Sequence, residues 1–254
     1  MILTPDFVYV HHPKTGGTFV THVLSRLYGE RGVDVAPKHG TCSDIPEEHR
    51  GKPIVSAIRN PYDRYVSQYR FAWWKLHPDQ YCGEERMREM YPHYPDLTFA
   101  EFIDLANTLF VNCHMGRPTE FVNTRFPPGR GPGWHTEQFV RFYFREPREA
   151  FARLDEKSFD DGSFRQGMYD VHFLPVERLN DALHELLLEF GHPPEEIAFV
   201  RSSEKIFPKE GGRELDDRWQ DYYTPEIRDE VRTRERLLFE LFPQFDAVWE
   251  EAHV

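Results

Sequence analysis

Phe7-Val8-Tyr9-Val10-His11-His12-Pro13-Lys14-Thr15-Gly16-Gly17-Thr18-Phe19 is the stretch on which the reading of this chain turns. Its first four residues are β-branched or aromatic, as expected of a short buried strand, and Pro13 and the glycine pair end that strand in a tight loop. Beyond the loop, Phe19, Val23, Leu24 and Leu27 recur at helical spacing and give an apolar stripe suited to packing on a sheet. The order is strand, loop, helix. A glycine pair between strand and helix lets backbone N–H groups converge on an anion at the positive end of the helix, with Lys14 before it and Thr18 after it.

The same logic repeats further along. Ile54 to Ile58 reads as a strand that gives way at Arg59-Asn60 to a helix with Pro61 in its first position, where a missing N–H costs nothing. Val171 to Leu174 reads as a third strand, followed by a helix over Asp181 to Phe190 that Gly191 stops. Strands alternating with helices predict an α/β fold with a central parallel sheet flanked by helices. Thr98 to Thr108 is helical by pattern. Residues 116–133 hold four Pro and four Gly and are expected to form a surface loop, and Pro225 to Phe242 reads as one long C-terminal helix.

A length of 254 residues with 39% hydrophobic content suits one globular domain, 1–254. The net charge of −12 argues against a general nucleic-acid surface, so an anionic ligand needs a local basic site. Cys42, Cys82 and Cys113 match neither a zinc pairing nor a disulfide framework, which fits a reduced compartment. No stretch approaches the ~20 apolar residues of a membrane span, and the first residues lack a signal-peptide pattern. The expectation is a cytoplasmic, soluble protein that binds no metal.

In the nucleotide-kinase loop the Lys follows the glycines. Here it precedes them. His11-x-Pro13-Lys14-Thr15-Gly16-Gly17-Thr18 resembles the 5′-phosphosulfate loop of sulfotransferases that use 3′-phosphoadenosine-5′-phosphosulfate (PAPS), especially the Golgi carbohydrate 2-O and 6-O group. The resemblance implies a P-loop-kinase-like sulfotransferase fold. It also implies a cradle of Lys14, Thr15, Gly16, Gly17, Thr18 and Phe19, with Lys14 offsetting charge on the leaving 5′-phosphate. Arg59 and Ser67, about two helical turns apart, are similar to the family's clamp on the donor's 3′-phosphate, where a guanidinium fork and a hydroxyl share the oxygens. Arg64 is read as a structural partner of Asp63, Asp44 or Glu48. Val200 to Pro208 is similar to the late donor-binding segment of the 2-O group, which implies Arg201 and Ser203 on the 3′-phosphate and Lys205 over the nucleotide.

His39, in Pro37-Lys38-His39-Gly40-Thr41, lies where the carbohydrate sulfotransferases carry a His that acts as base on the acceptor hydroxyl; Thr41 stands where the 2-O group has its second His. The reaction implied is transfer of a sulfuryl group to a hydroxyl, with a glycan favoured, leaving 3′-phosphoadenosine 5′-phosphate (PAP). Arg117, Arg125 and Arg130, followed by Trp134 and His135, offer a mixture suited to an anionic sugar. Two rival readings stay open. One is an ATP- and Mg-dependent sugar or small-molecule kinase, and the other a non-catalytic PAP-binding module, for which Thr41 is the foothold.

Overall fold

Whether the repeated strand-to-helix junctions converge depends on which strands pair. A computed structural model of the chain describes residues 1–29, 37–114, 116–204 and 218–246. In chain order, the elements used below are β1 (Ile2–Leu3), β2 (Val8–Val10), α1 (Gly17–Tyr28), β3 (Ile54–Ile58), α2 (Pro61–Phe71), α3 (Phe99–Thr108), α4 (Trp134–Tyr143), β4 (Val171–Pro175), α5 (Leu179–Glu189), α6 (Pro194–Ser202), α7 (Pro225–Arg234) and α8 (Arg236–Leu241). The chain divides into two compact units, Met1–Arg59 with Tyr169–Lys209 and Asn60–Met168 with Glu210–Val254.

The first unit holds a four-stranded sheet in the order β1-β2-β3-β4. Strands β2, β3 and β4 run parallel, with Tyr9 opposite Val55 and Ser56 opposite Phe173. The fold is therefore mixed α/β with a mostly parallel sheet, as the alternating pattern predicts. The addition is β1, an antiparallel edge strand that pairs Ile2 with Tyr9. The core gathers Phe7, Val55 and Ala57 from the sheet, Val20, Val23 and Leu24 from α1, and Leu183, Leu186 and Leu187 from α5. Each of these Phe, Val and Leu side chains contributes ~1.5–3 kcal/mol by leaving water. Ser56, polar in a central strand, is satisfied because its hydroxyl donates to the Val10 carbonyl at 2.7 Å. Because β2 and β3 are parallel neighbours, the loops that follow them leave from the same end of the sheet, the usual position for a ligand in open α/β folds.

In the second unit, α2 opens as the sequence indicates, with Pro61 in its first turn and the Asn60 side chain accepting the Tyr62 N–H at 3.0 Å. Helix α3 begins at a capping box, in which Thr98 and Glu101 satisfy each other's backbone N–H groups. Arg64 is buried, and its guanidinium donates to the Gln138 side chain.

The long C-terminal helix expected over Pro225 to Phe242 is broken at Glu235 (φ −101°, ψ 23°) into α7 and α8. The cause is the Glu235 side chain. Its fully buried carboxylate accepts from the Tyr65 hydroxyl at 2.5 Å, from the N–H groups of His135 and Thr136 at 3.1 and 2.6 Å, and from the Thr136 hydroxyl at 2.7 Å. A carboxylate so placed caps the first turn of α4 and offsets its positive end. Residues 116–133 form the expected loop apart from a two-residue strand, Arg117–Pro118. Among the described residues no helix is long and apolar enough to cross a membrane.

Candidate active site

The loop between β2 and α1 is folded tightly against its own side chains. Lys14 sits at φ 63° and Gly16 at φ 78°, both in the left-handed region. For lysine that conformation costs of order 1–3 kcal/mol, a strain that persists only where surroundings impose it. The Thr15 hydroxyl is buried and donates to the His12 carbonyl at 2.9 Å. A Cβ at Gly17 would lie 2.0 Å from the His11 ring, so the imidazole packs directly on the glycine. The second glycine is required for that approach rather than for its backbone freedom.

The N–H groups of Thr15, Gly16, Gly17 and Thr18 make no hydrogen bond among the described residues; the first bonds of the helix start are those of Phe19 and Val20 to the Gly16 carbonyl. Four successive N–H donors at a helix start form a concave anion receptor. Phe19 itself turns inward, its ring in the core. Thr18 is exposed.

Arg59, at the end of the adjacent parallel strand, reaches this loop, and its Nη1 donates to the Lys14 carbonyl at 3.3 Å. Burial, and then the neighbouring Arg59 guanidinium, push the Lys14 ammonium down from its usual value to about 8. Two cations and an unbonded run of N–H groups thus converge at one end of the sheet, an arrangement that a bound phosphate would relieve.

His39 lies across from the loop. Its Nδ1 is 3.0 Å from the His11 carbonyl oxygen, and the two imidazoles meet edge to face with centroids 4.9 Å apart. A carbonyl oxygen can only accept, so Nδ1 carries the proton in the neutral ring and Nε2 keeps the lone pair. Partial burial of the ring and the nearby Lys38 hold His39 below the usual imidazole value, although the bond to His11 opposes them. His11, more deeply buried, is pushed down to about 3 by burial first and by His39 and Lys38 next. His11 is neutral at pH 7, and His39 is held toward its neutral form. The segment carrying His39 is tied down by the Met1 nitrogen, which donates to the carbonyls of Pro37 and Lys38 at 2.9 and 2.8 Å.

The remaining candidates are placed as follows. Ser67 is buried on α2, in the second unit. Arg201, at the end of α6, pairs with Asp181 at 3.3 Å, and the Ser203 hydroxyl donates to the Phe199 carbonyl at 2.8 Å. Lys205 lies outside the described residues. Trp134 and His135, read as neighbours of an acceptor, are buried, and Arg125 is engaged with Asp155 at 2.7 Å. The sequence reading did not anticipate the contact of His39 with the His11 carbonyl, for which motif spacing carries no signal.

Fold and loop together define an α/β protein with unbonded backbone N–H groups where a parallel strand turns into a helix. The family-wide sequence profile described as the sulfotransferase family matches residues 4–180, more than half of the chain, and the protein belongs to that family. A search of curated sequences returned no significant match. Among solved structures, the chain is similar to mouse sulfotransferase SULT7A1 complexed with PAP, at 14% identity and a TM-score of 0.47, over 98% of this chain and 88% of that one.

Proposed function

We propose that this protein transfers a sulfuryl group from PAPS to an acceptor hydroxyl, and that the acceptor is a carbohydrate. The observation that carries the reading is the run of unbonded N–H groups from Thr15 to Thr18 beside Lys14 and Arg59. In this reading the cradle takes the 5′-phosphosulfate end of the donor. Arg59, with Ser67, Arg201 and Ser203, takes the 3′-phosphate, and Lys205 closes over the nucleotide.

The acceptor oxygen forms a bond to sulfur while the bond from sulfur to the 5′-phosphate oxygen breaks. The hydroxyl proton passes to Nε2 of His39, the nitrogen left basic by the contact of Nδ1 with His11. The electron pair of the broken bond stays on the 5′-phosphate, where Lys14 stabilises charge that develops only as the bond breaks. Carbohydrate as the acceptor class rests on the resemblance of the His11-to-Thr18 and Pro37-to-Thr41 segments to the carbohydrate group.

The test is transfer of labelled sulfate from PAPS to a panel of glycans, phenols and sterols, in EDTA. Labelled glycan is the expected product. Labelled phenol or sterol without glycan would overturn the acceptor class, and PAP binding without any transfer would favour the non-catalytic module.

A further inference from the structure

The second unit carries a cleft of about 360 Å³ whose walls include Phe126 and Phe159 together with Arg130, Arg232, Arg234 and Arg236. Four arginines line it beside one acidic residue, Glu156, in a chain whose net charge is −12. Asp246, Glu230, Glu156, Asp160 and Glu240 offset part of that positive charge, and an anion sharing the space would offset the rest.

The backbone explains how three of the arginines reach one cleft. In an unbroken helix Arg232 and Arg236 would share a face while Arg234 pointed about 200° away. The break at Glu235 removes that restriction, and all three line the cleft. The buried carboxylate that makes the break is held by Tyr65, His135 and Thr136, so the arrangement is fixed by the core of the unit and not by the arginines themselves.

The arginines are unequally committed. Arg130 is exposed on the loop and forms no ion pair among the described residues. Arg234 is largely buried, its Nε has no hydrogen-bond partner, and its closest carboxylate is Glu230 at 3.9 Å; its Nη1 donates to the Gly131 carbonyl at 3.2 Å. Arg232 pairs with Asp246 at 2.8 Å, and Arg236 with Glu156, with Glu240 at 3.3 Å and with Asp160 at 3.9 Å. Those carboxylates are more than one-third exposed, and exposed pairs are weak enough for a better-placed anion to replace them.

We infer that this cleft binds a sugar bearing a carboxylate or sulfate group, the anion meeting Arg130, Arg232 and Arg234 and the apolar face of the ring meeting Phe126. Only the assignment of that sugar as the acceptor rests on the sulfotransferase reading above. The cleft lies within the size range of small-ligand sites and suits one or two sugar rings.

The experiment is calorimetric titration at low salt with three disaccharides: one neutral, one with a uronic acid and one with a uronic acid and a sulfate ester. PAP is titrated in parallel. The charged probes are expected to bind at least about ten-fold more tightly than the neutral one, and Arg130→Gln and Arg232→Gln each to weaken them by about five- to ten-fold while PAP affinity holds. Preference for the sulfated probe over the plain uronate would identify sulfate as the recognised group; the reverse would identify carboxylate. Equal binding of neutral and charged probes would overturn the inference. So would variants that bind as the parent does, or an equal loss in Arg88→Gln, an exposed arginine outside the cleft. Loss of PAP binding with disaccharide binding intact would remove the donor reading and leave the cleft standing.

Discussion

Lys14 supplies a prediction that depends on its surroundings rather than on its presence in a motif. With the ammonium pushed down to about 8 by burial and by Arg59, about half of the side chain is neutral at pH 8 in the free protein. A bound phosphate dianion beside it favours the charged form and restores the ordinary lysine range. PAP binding at pH 8 must then draw in about half a proton, falling to about a tenth at pH 7 and rising to about nine-tenths at pH 9. The phosphates add little there, since their second ionisation lies near pH 6. Calorimetry of PAP binding in two buffers of different ionisation enthalpy measures the uptake directly, and Lys14→Met should abolish it.

The same shift has a consequence for stability. The folded value lies below the unfolded one, so the unfolded chain binds the proton more tightly. Stability should therefore rise with pH between about 8 and the ordinary lysine value near 10.5. At pH 7 the cost, discounted for the exposed part of the side chain, is about 1–3 kcal/mol, which Lys14→Met should recover as a higher melting temperature while losing turnover. Uptake near zero at pH 8, or uptake unchanged in Lys14→Met, would refute the reasoning.

Three further outcomes are expected. Gly17→Ala drives a Cβ to 2.0 Å from the His11 ring and should cost about 1–3 kcal/mol in chemical denaturation, with PAP affinity falling as well; a neutral effect would mean that the ring is not seated there. Glu235→Gln replaces two acceptor oxygens that four donors share, and should destabilise by about 2–4 kcal/mol; an unchanged denaturation midpoint would remove Glu235 as the anchor of α4. His39→Gln should lower kcat by about 10²–10⁴-fold at unchanged PAP affinity. Because burial holds His39 below the usual imidazole value in the free protein, the acid limb of the parent's kcat/KM profile should fall below pH 6.5, and a limb above it would point to another base.

The features legible in the sequence are those set by neighbours along the chain. Three of the four residues before His11 and the run from Ile54 to Ile58 form strands β2 and β3, Pro61 sits in the first turn of α2, and the helical pattern of Thr98 to Thr108 is α3 with Thr98 as its cap. Lys14 and Arg59 belong to separate sequence motifs, and their meeting follows from two adjacent parallel strands that end at one edge of the sheet. Features that depend on distant partners were hidden. Strand β1 has two residues and exists only by pairing with β2. The break at Glu235 follows from hydrogen bonds to residues far upstream, and nothing in the helical period of Pro225 to Phe242 announces it. The tautomer of His39 is set by a carbonyl 28 positions away.

The most direct measurement is the affinity of the free protein for PAP against AMP and against ATP with magnesium, taken by calorimetry with EDTA in the first two titrations. Micromolar or tighter PAP binding with AMP at least about a hundred-fold weaker is the predicted result, since a 3′-phosphate held by an arginine fork and a hydroxyl supplies two or more charge-assisted hydrogen bonds. Equal affinity for PAP and AMP, or a preference for ATP with magnesium, would contradict the assignment of Lys14 and Arg59 to a PAPS donor.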